Sequence, residues 1–299
     1  MRGLLRRALP ALLFLLSAAL LCAWGLALCG RSGSTLPMGD RLLNLEQMVS
    51  ALRRGLRDHA STVTLRFDYG SDVYAELGEA VGSWFEAALA ETEDPAEGDY
   101  IRYQIGGYDY SVSRIERNGR WTYEVILSPR YYCYASQERQ VAEKVAALLE
   151  DFAFTREDGE AARIGAIYDY LCRNVTYDKI HRKNPHFHLR STAYWALLRG
   201  TATCQGYCAA LYRLLREAGI DCRIVTGSAA GEEGLHAWVI ARVEGLYYAL
   251  DPTWDAGQEA YRYFLAGTEA IGDRRPEARF LSEDFTARYP MAEKSYAGG

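Results

Sequence analysis

A chain of 299 residues, about half of them apolar, has enough hydrophobic side chains for one or two cored domains, which excludes an intrinsically disordered protein. Its formal net charge of −5, with acidic and basic residues interspersed, offers no basic face and excludes nucleic acid as an expected partner. Seven cysteines are present, and how many can pair depends on which compartment the chain enters.

The first thirty residues decide that. Arg2, Arg6 and Arg7 precede an uncharged, mostly apolar run over residues 8–28. A secretory h-region has roughly 7–15 residues and a bilayer span needs roughly 20, and this run is nearer the second. An uncleaved signal anchor over residues 1–30 is therefore expected, with a signal peptide cleaved near Ala27 to Cys29 as the alternative. Three arginines before the run against Arg31 just after it place the N-terminus inside and residues 31–299 outside. The expected location is thus the cell membrane, single-pass, with the C-terminal domain outside, or secretion if the segment is removed. Cys22 and Cys29 belong to this segment and leave Cys133, Cys172, Cys204, Cys208 and Cys222, an odd number in an oxidising exterior.

A Gly/Ser/Pro-containing linker occupies residues 31–40. Leu42, Leu45, Met48, Val49, Leu52 and Leu56 then recur at helical spacing. Residues 61–69 alternate apolar and polar as a strand, and residues 73–89 return to a helical pattern. The Tyr/Ile/Val-rich stretch 100–134 holds Gly106-Gly107 and Asn118-Gly119 as turn signals between strands. Residues 41–135 thus form an accessory α+β region without nameable chemistry, and residues 136–299 form a second domain.

In that domain two helical patterns run from residue 136 to about 171, a loop follows over residues 177–188, and two further helices span 193–198 and 204–218, with Gly200 and Gly219 as stops. Strands follow at 223–226, 235–243 and 246–251, the last two joined by Glu244-Gly245. On the second helix Cys204, Cys208, Leu211, Tyr212, Leu215 and Ala218 fall on one face, and Cys204 begins it. A thiol at a helix N-terminus sees the positive end of the dipole, which favours the nucleophilic thiolate, and the free amides beside it suit an oxyanion.

The hairpin supplies partners. With Glu244-Gly245 as a two-residue turn, Val243 pairs with Leu246 and Asp251 falls opposite Trp238, diagonal to His236 and on the same face. A carboxylate there orients an imidazole, and an oriented imidazole takes a proton from a thiol. The opposite face, Leu235, Ala237, Val239, Ala241 and Val243, is the expected core side.

Three ordered motifs, Thr203-Cys204-Gln205-Gly206-Tyr207, His236-Ala237-Trp238 and Asp251-Pro252-Thr253-Trp254-Asp255, resemble the transglutaminase-like superfamily, whose core is related to papain-like cysteine proteases. Tyr168-Asp169-Tyr170, Asn174-Val175-Thr176-Tyr177-Asp178 and residues 261–265 extend the likeness to bacterial extracytoplasmic members similar to the cytokinesis and kyphoscoliosis-peptidase group. The resemblance covers about residues 138–265. It implies an α+β fold with helices packed on an antiparallel sheet, Cys204 as nucleophile, His236 as general base and Asp251 as its orienting partner. It also implies acyl transfer or hydrolysis at protein or peptide amide bonds of the cell envelope. Gln205, Trp238 and Trp254, flanking the three, are the expected substrate contacts. Two positions depart from the pattern: Val239 stands where many relatives have Asn, and Cys208 where a small residue is usual.

No cofactor and no metal site is expected. His181, His186 and His188 crowd a loop near Asp178, but their spacing matches no strong ligand signature, and a solvated loop is the expectation. A catalytically silent module of the same fold, binding cell-wall or surface-protein partners, is the alternative to an enzyme.

Overall fold

The computed structural model describes residues 38–232 and 234–297, so the expected membrane segment lies outside the described residues. Among those that are described, no helix is long and apolar enough to cross a membrane. Helix α1 (Met38–Arg57) takes in the last residues of the expected linker.

Asn118 and Gly119 both adopt left-handed backbone (φ 54° and 77°), which a two-residue hairpin turn requires, and they join β2 (Ile105–Arg117) to β3 (Arg120–Tyr131). With β1 (Val63–Tyr69) these form an antiparallel sheet of order β1-β3-β2. Helix α2 (Leu77–Ala88) lays Trp84 edge-on to Phe67 of β1 and Phe85 against Tyr108 of β2. Gly106-Gly107 is not a turn between strands: it lies inside β2, where the register with β3 shifts between Ile105 and Tyr108. Gly107, at φ 101°, serves that irregularity, the other common use of strand glycine.

A short helix α3 (Asp99–Arg102) leads into β2, and its Asp99 is buried against the second sheet. Arg223 donates to both Asp99 oxygens at 2.8 and 3.1 Å, and the Ile224 amide donates to Oδ2 at 2.9 Å. The accessory region is thus tied to the rest of the unit by a bidentate, hydrogen-bonded ion pair.

Four helices follow: α4 (Ala135–Phe152), α5 (Glu160–Asn174), α6 (Ala193–Arg199) and α7 (Cys204–Glu217). Two short strands, β4 (Thr176–Tyr177) and β5 (Thr201–Ala202), pair in parallel beside them. Every residue of α7 from Gly206 to Leu215 is buried, so it is a central helix packed on all sides rather than one apolar stripe. The polar member, Arg213, is paired there with Glu138 (3.2 Å) and Glu217 (3.1 Å).

Helix α7 packs on an antiparallel sheet of order β8-β7-β6-β9: β6 (Cys222–Ala229), β7 (His236–Val243), β8 (Leu246–Leu250) and β9 (Arg274–Pro276). Ala237, Val239, Ala241 and Val243 with Tyr248 and Leu250 face the main core, as expected. The other face is equally buried: Val225, Trp238, Ile240, Tyr247 and Ala249 meet Phe280 and Tyr289 of the C-terminal segment. Both faces are therefore core faces, because residues beyond 265, which carry little periodicity, cover the second. Leu235 precedes β7 and is 69% exposed, not core.

Candidate active site

Helix α6 starts at Thr192, whose hydroxyl accepts from the Trp195 amide (3.2 Å), and stops at Gly200 in left-handed backbone (φ 67°). The chain then passes through β5 into Thr203, the N-cap of α7. Thr203 does not cap with its side chain: its hydroxyl lies 3.2 Å from Ser191 Oγ and donates to the Arg190 carbonyl at 3.2 Å. The first-turn amides of α7 therefore keep no side-chain acceptor, and they surround Cys204, which is half-buried. Gly206 explains itself by space. A Cβ there would sit 2.7 Å from the Arg190 carbonyl oxygen and 2.9 Å from the Ala202 methyl. Gly206→Ala is expected to lower stability by about 1–3 kcal/mol through overpacking and to shift the helix start. Urea unfolding checks it, and an unchanged midpoint would mean that the Arg190 loop yields freely.

His236 opens β7 and Asp251 follows β8. The register, Val243 opposite Leu246 and Val239 opposite Leu250, is the one counted from the Glu244-Gly245 turn. His236 Nε2 lies 2.7 Å from Asp251 Oδ2, with both side chains almost wholly buried. That leaves Nδ1 as the ring nitrogen available to Cys204. Burial lowers the imidazole pKa, but the hydrogen bond to Asp251 and the charges of Asp251 and Cys204 outweigh it and raise it to about 9.

The sequence reading missed Arg274. From β9 it donates to Asp251 Oδ2, the same oxygen His236 uses, and to Asp273 Oδ1 at 2.8 Å. Its guanidinium lies 3.8 Å from the Tyr263 ring centre and 4.6 Å from that of Trp254, and its side chain is 1% exposed. Asp251 Oδ1 has no hydrogen-bond partner among the described residues, so the charge of this carboxylate is directed through one oxygen.

The expected substrate contacts fare differently. Trp238 is 1% exposed and belongs to the second core cluster, so it is a packing residue behind His236 and not a surface for substrate. Gln205 donates its side-chain amide to the Tyr103 carbonyl, which ties α7 to the accessory region. Trp254 is half-buried, with its ring 5.7 Å from the His236 ring.

The remaining motifs interlock around these residues. Tyr168 donates to Asp255 Oδ2 at 2.7 Å, Asp255 accepts from the Arg262 and Tyr263 amides (3.0 and 2.8 Å), and Tyr261 donates to Asp169 at 2.9 Å. Tyr207 donates to the Val175 carbonyl at 2.5 Å. Val239 and Cys208, the two departures, are fully buried in the main core, and burial, then the neighbouring Cys204 charge, raises the Cys208 pKa. All five described cysteines are unpaired. The loop histidines do not converge: His181 pairs with Asp178 (2.9 Å), whereas His188 stacks on Tyr132.

The sequence model of the transglutaminase-like superfamily core matches residues 147–252. Human kyphoscoliosis peptidase is 30% identical over 139 residues, 42% of this chain and 20% of that protein. The mouse protein is 29% identical over 107 residues, 32% of this chain and 16% of that one. The chain thus spans a fifth or less of these curated relatives. A crystal structure described as a TGase aligns with a TM-score of 0.37 at 18% identity, covering 56% of this chain and 51% of that one. With its Cys, His and Asp motifs in order, the chain carries a domain of the transglutaminase-like superfamily.

Proposed function

We propose that the protein is a transglutaminase-like cysteine enzyme that acts on protein or peptide amide bonds through a thioester on Cys204. The observation that carries this reading is the buried His236–Asp251 pair, in which Nε2 is held on Asp251 and Nδ1 is left for Cys204. Cys204 Sγ attacks the amide carbonyl carbon, and the resulting oxyanion is met by the first-turn amides of α7. As the C–N bond breaks, His236 gives its proton to the departing amine or ammonia. An incoming amine or water then attacks the thioester, returns a proton to His236 and releases Cys204. An amine gives crosslinking and water gives hydrolysis, by the same three residues. Substrate enters past Trp254.

The test is labelling of Cys204 by a thiol electrophile in wild type and in His236→Ala, beside assays of labelled-amine incorporation and of peptide cleavage. Absence of turnover in both assays, with equal labelling in the two proteins, leaves the binding-module alternative.

The reading places this chemistry outside the cell, at cell-envelope proteins, because of the apolar run over residues 8–28 behind three arginines. Fractionation is expected to find the protein in the membrane, with residues 31–299 open to protease added outside. Recovery in the cytosol, or protection from that protease, removes the extracytoplasmic reading.

A further inference from the structure

Away from the Cys204 site, three metal-ligating groups from two parts of the chain meet at the junction between the accessory region and α4. His59 follows the C-terminal end of α1 in left-handed backbone (φ 51°), with its ring stacked on Tyr131 at 4.4 Å. Its Nδ1 lies 3.4 Å from the Arg57 carbonyl, and its Nε2 lies 3.8 Å from Cys133 Sγ. Cys133, buried between β3 and α4, has its sulfur 4.0 Å from Glu138 Oε2. The three ligand atoms all fall within 4.8 Å of one another.

Two features distinguish this from a chance meeting of polar groups. The first is spacing. Tetrahedral zinc, with bonds of about 2.3 Å to sulfur and about 2.0–2.1 Å to nitrogen or oxygen, sets neighbouring ligand atoms about 3.5 Å apart. The two pairs that involve sulfur stand a few tenths of an ångström outside that, and the His59 Nε2 to Glu138 Oε2 pair lies within 4.8 Å, so closing the site takes a contraction of the three toward one centre. The second is that the other polar atom of each bidentate group is already tied. Nδ1–H on the Arg57 carbonyl leaves the Nε2 lone pair facing the thiol. Glu138 Oε1 accepts from the Tyr100 hydroxyl at 2.7 Å and from Arg213 Nη1 at 3.2 Å, which leaves Oε2 toward the sulfur. Such outer contacts orient ligands in metal sites. Arg213 works against a cation, but it also bonds Glu217, so its charge is divided.

We propose that His59 Nε2, Cys133 Sγ and Glu138 Oε2 bind one zinc ion, with the fourth position open to water. Thiolate, imidazole and carboxylate together suit zinc rather than calcium or magnesium. Bound there, the ion pins the end of α1 to the β3–α4 junction.

The experiment is a cobalt titration of the full chain, purified in detergent and stripped with a chelator. One equivalent is expected to give the near-ultraviolet thiolate-to-cobalt absorption, and added zinc to abolish it. Cys204→Ala is expected to keep the band, which separates this site from the catalytic thiol. Cys133→Ser and His59→Gln are expected to lose it, or to bind cobalt at least about 100-fold more weakly. Zinc is also expected to raise the thermal midpoint of wild type and Cys204→Ala but not of His59→Gln. A wild type without the band, or a band that survives His59→Gln or vanishes in Cys204→Ala, overturns the proposal.

Discussion

Cys204→Ala is expected to reduce acyl transfer to the uncatalysed background, and His236→Ala to lower it by about 10²–10⁴-fold, the usual worth of a positioned acid–base group. The two losses have different origins. Without Cys204 no thioester forms, whereas without His236 the sulfur remains but nothing takes its proton or protonates the departing amine. Iodoacetamide distinguishes them: His236→Ala is expected to slow alkylation at Cys204, and an equal rate in both proteins would remove His236 from the mechanism. The pH dependence has a definite sign. Because the His236 pKa is raised to about 9, the imidazolium that protonates the leaving group persists through neutral pH and is lost as pH rises through that value. Wild-type rates are therefore expected to fall on the alkaline side near pH 9, measured as kcat/KM against pH, which reports groups of the free enzyme.

What the sequence made legible was local. The α7 start at Cys204, its stop at Gly219 and the Glu244-Gly245 turn each depend on residues within a few positions, and the hairpin register that brings Asp251 beside His236 follows from counting. What stayed hidden depends on distant pairing. Strand β9 joins β6 through Gly227 opposite Pro276, and no pattern in either segment announces it. Arg274 therefore reads in sequence as one more surface charge, although it is buried against Asp251. The burial of Trp238 has the same cause, since the residues that cover it, Phe280 and Tyr289, lie in a segment with little periodicity. His59 joins Cys133 and Glu138 across more than seventy residues, so folding and not adjacency completes that group.

Arg274 changes what substitution of Asp251 should do. From sequence alone Asp251→Asn promises a folded protein with a small residual rate, because the amide still bonds the imidazole. The structure adds a guanidinium whose side chain is 1% exposed and which loses its closest anion in that variant, retaining Asp273 alone. Removing one member of a buried ion pair costs about 3–5 kcal/mol, so Asp251→Asn is expected to be clearly less stable than wild type, and Arg274→Met likewise. The pH dependence of stability also shifts. The raised folded pKa of His236 contributes stability that is complete below its unfolded value near 6.5 and lost as pH climbs through about 9. Without the Asp251 charge burial dominates, and this alkaline loss is expected to shrink. The decisive protein is the double variant Asp251→Asn/Arg274→Met. With both charges gone and the volume kept, it is expected to regain most of the stability lost by either single variant, measured by urea unfolding, because a buried pair replaced as a unit leaves no lone charge. Its rate is expected to stay low, since the asparagine amide can bond the imidazole but has no charge to keep it protonated. Recovery of both stability and rate would mean that Asp251 serves only to neutralise Arg274, and that His236 works without an orienting partner.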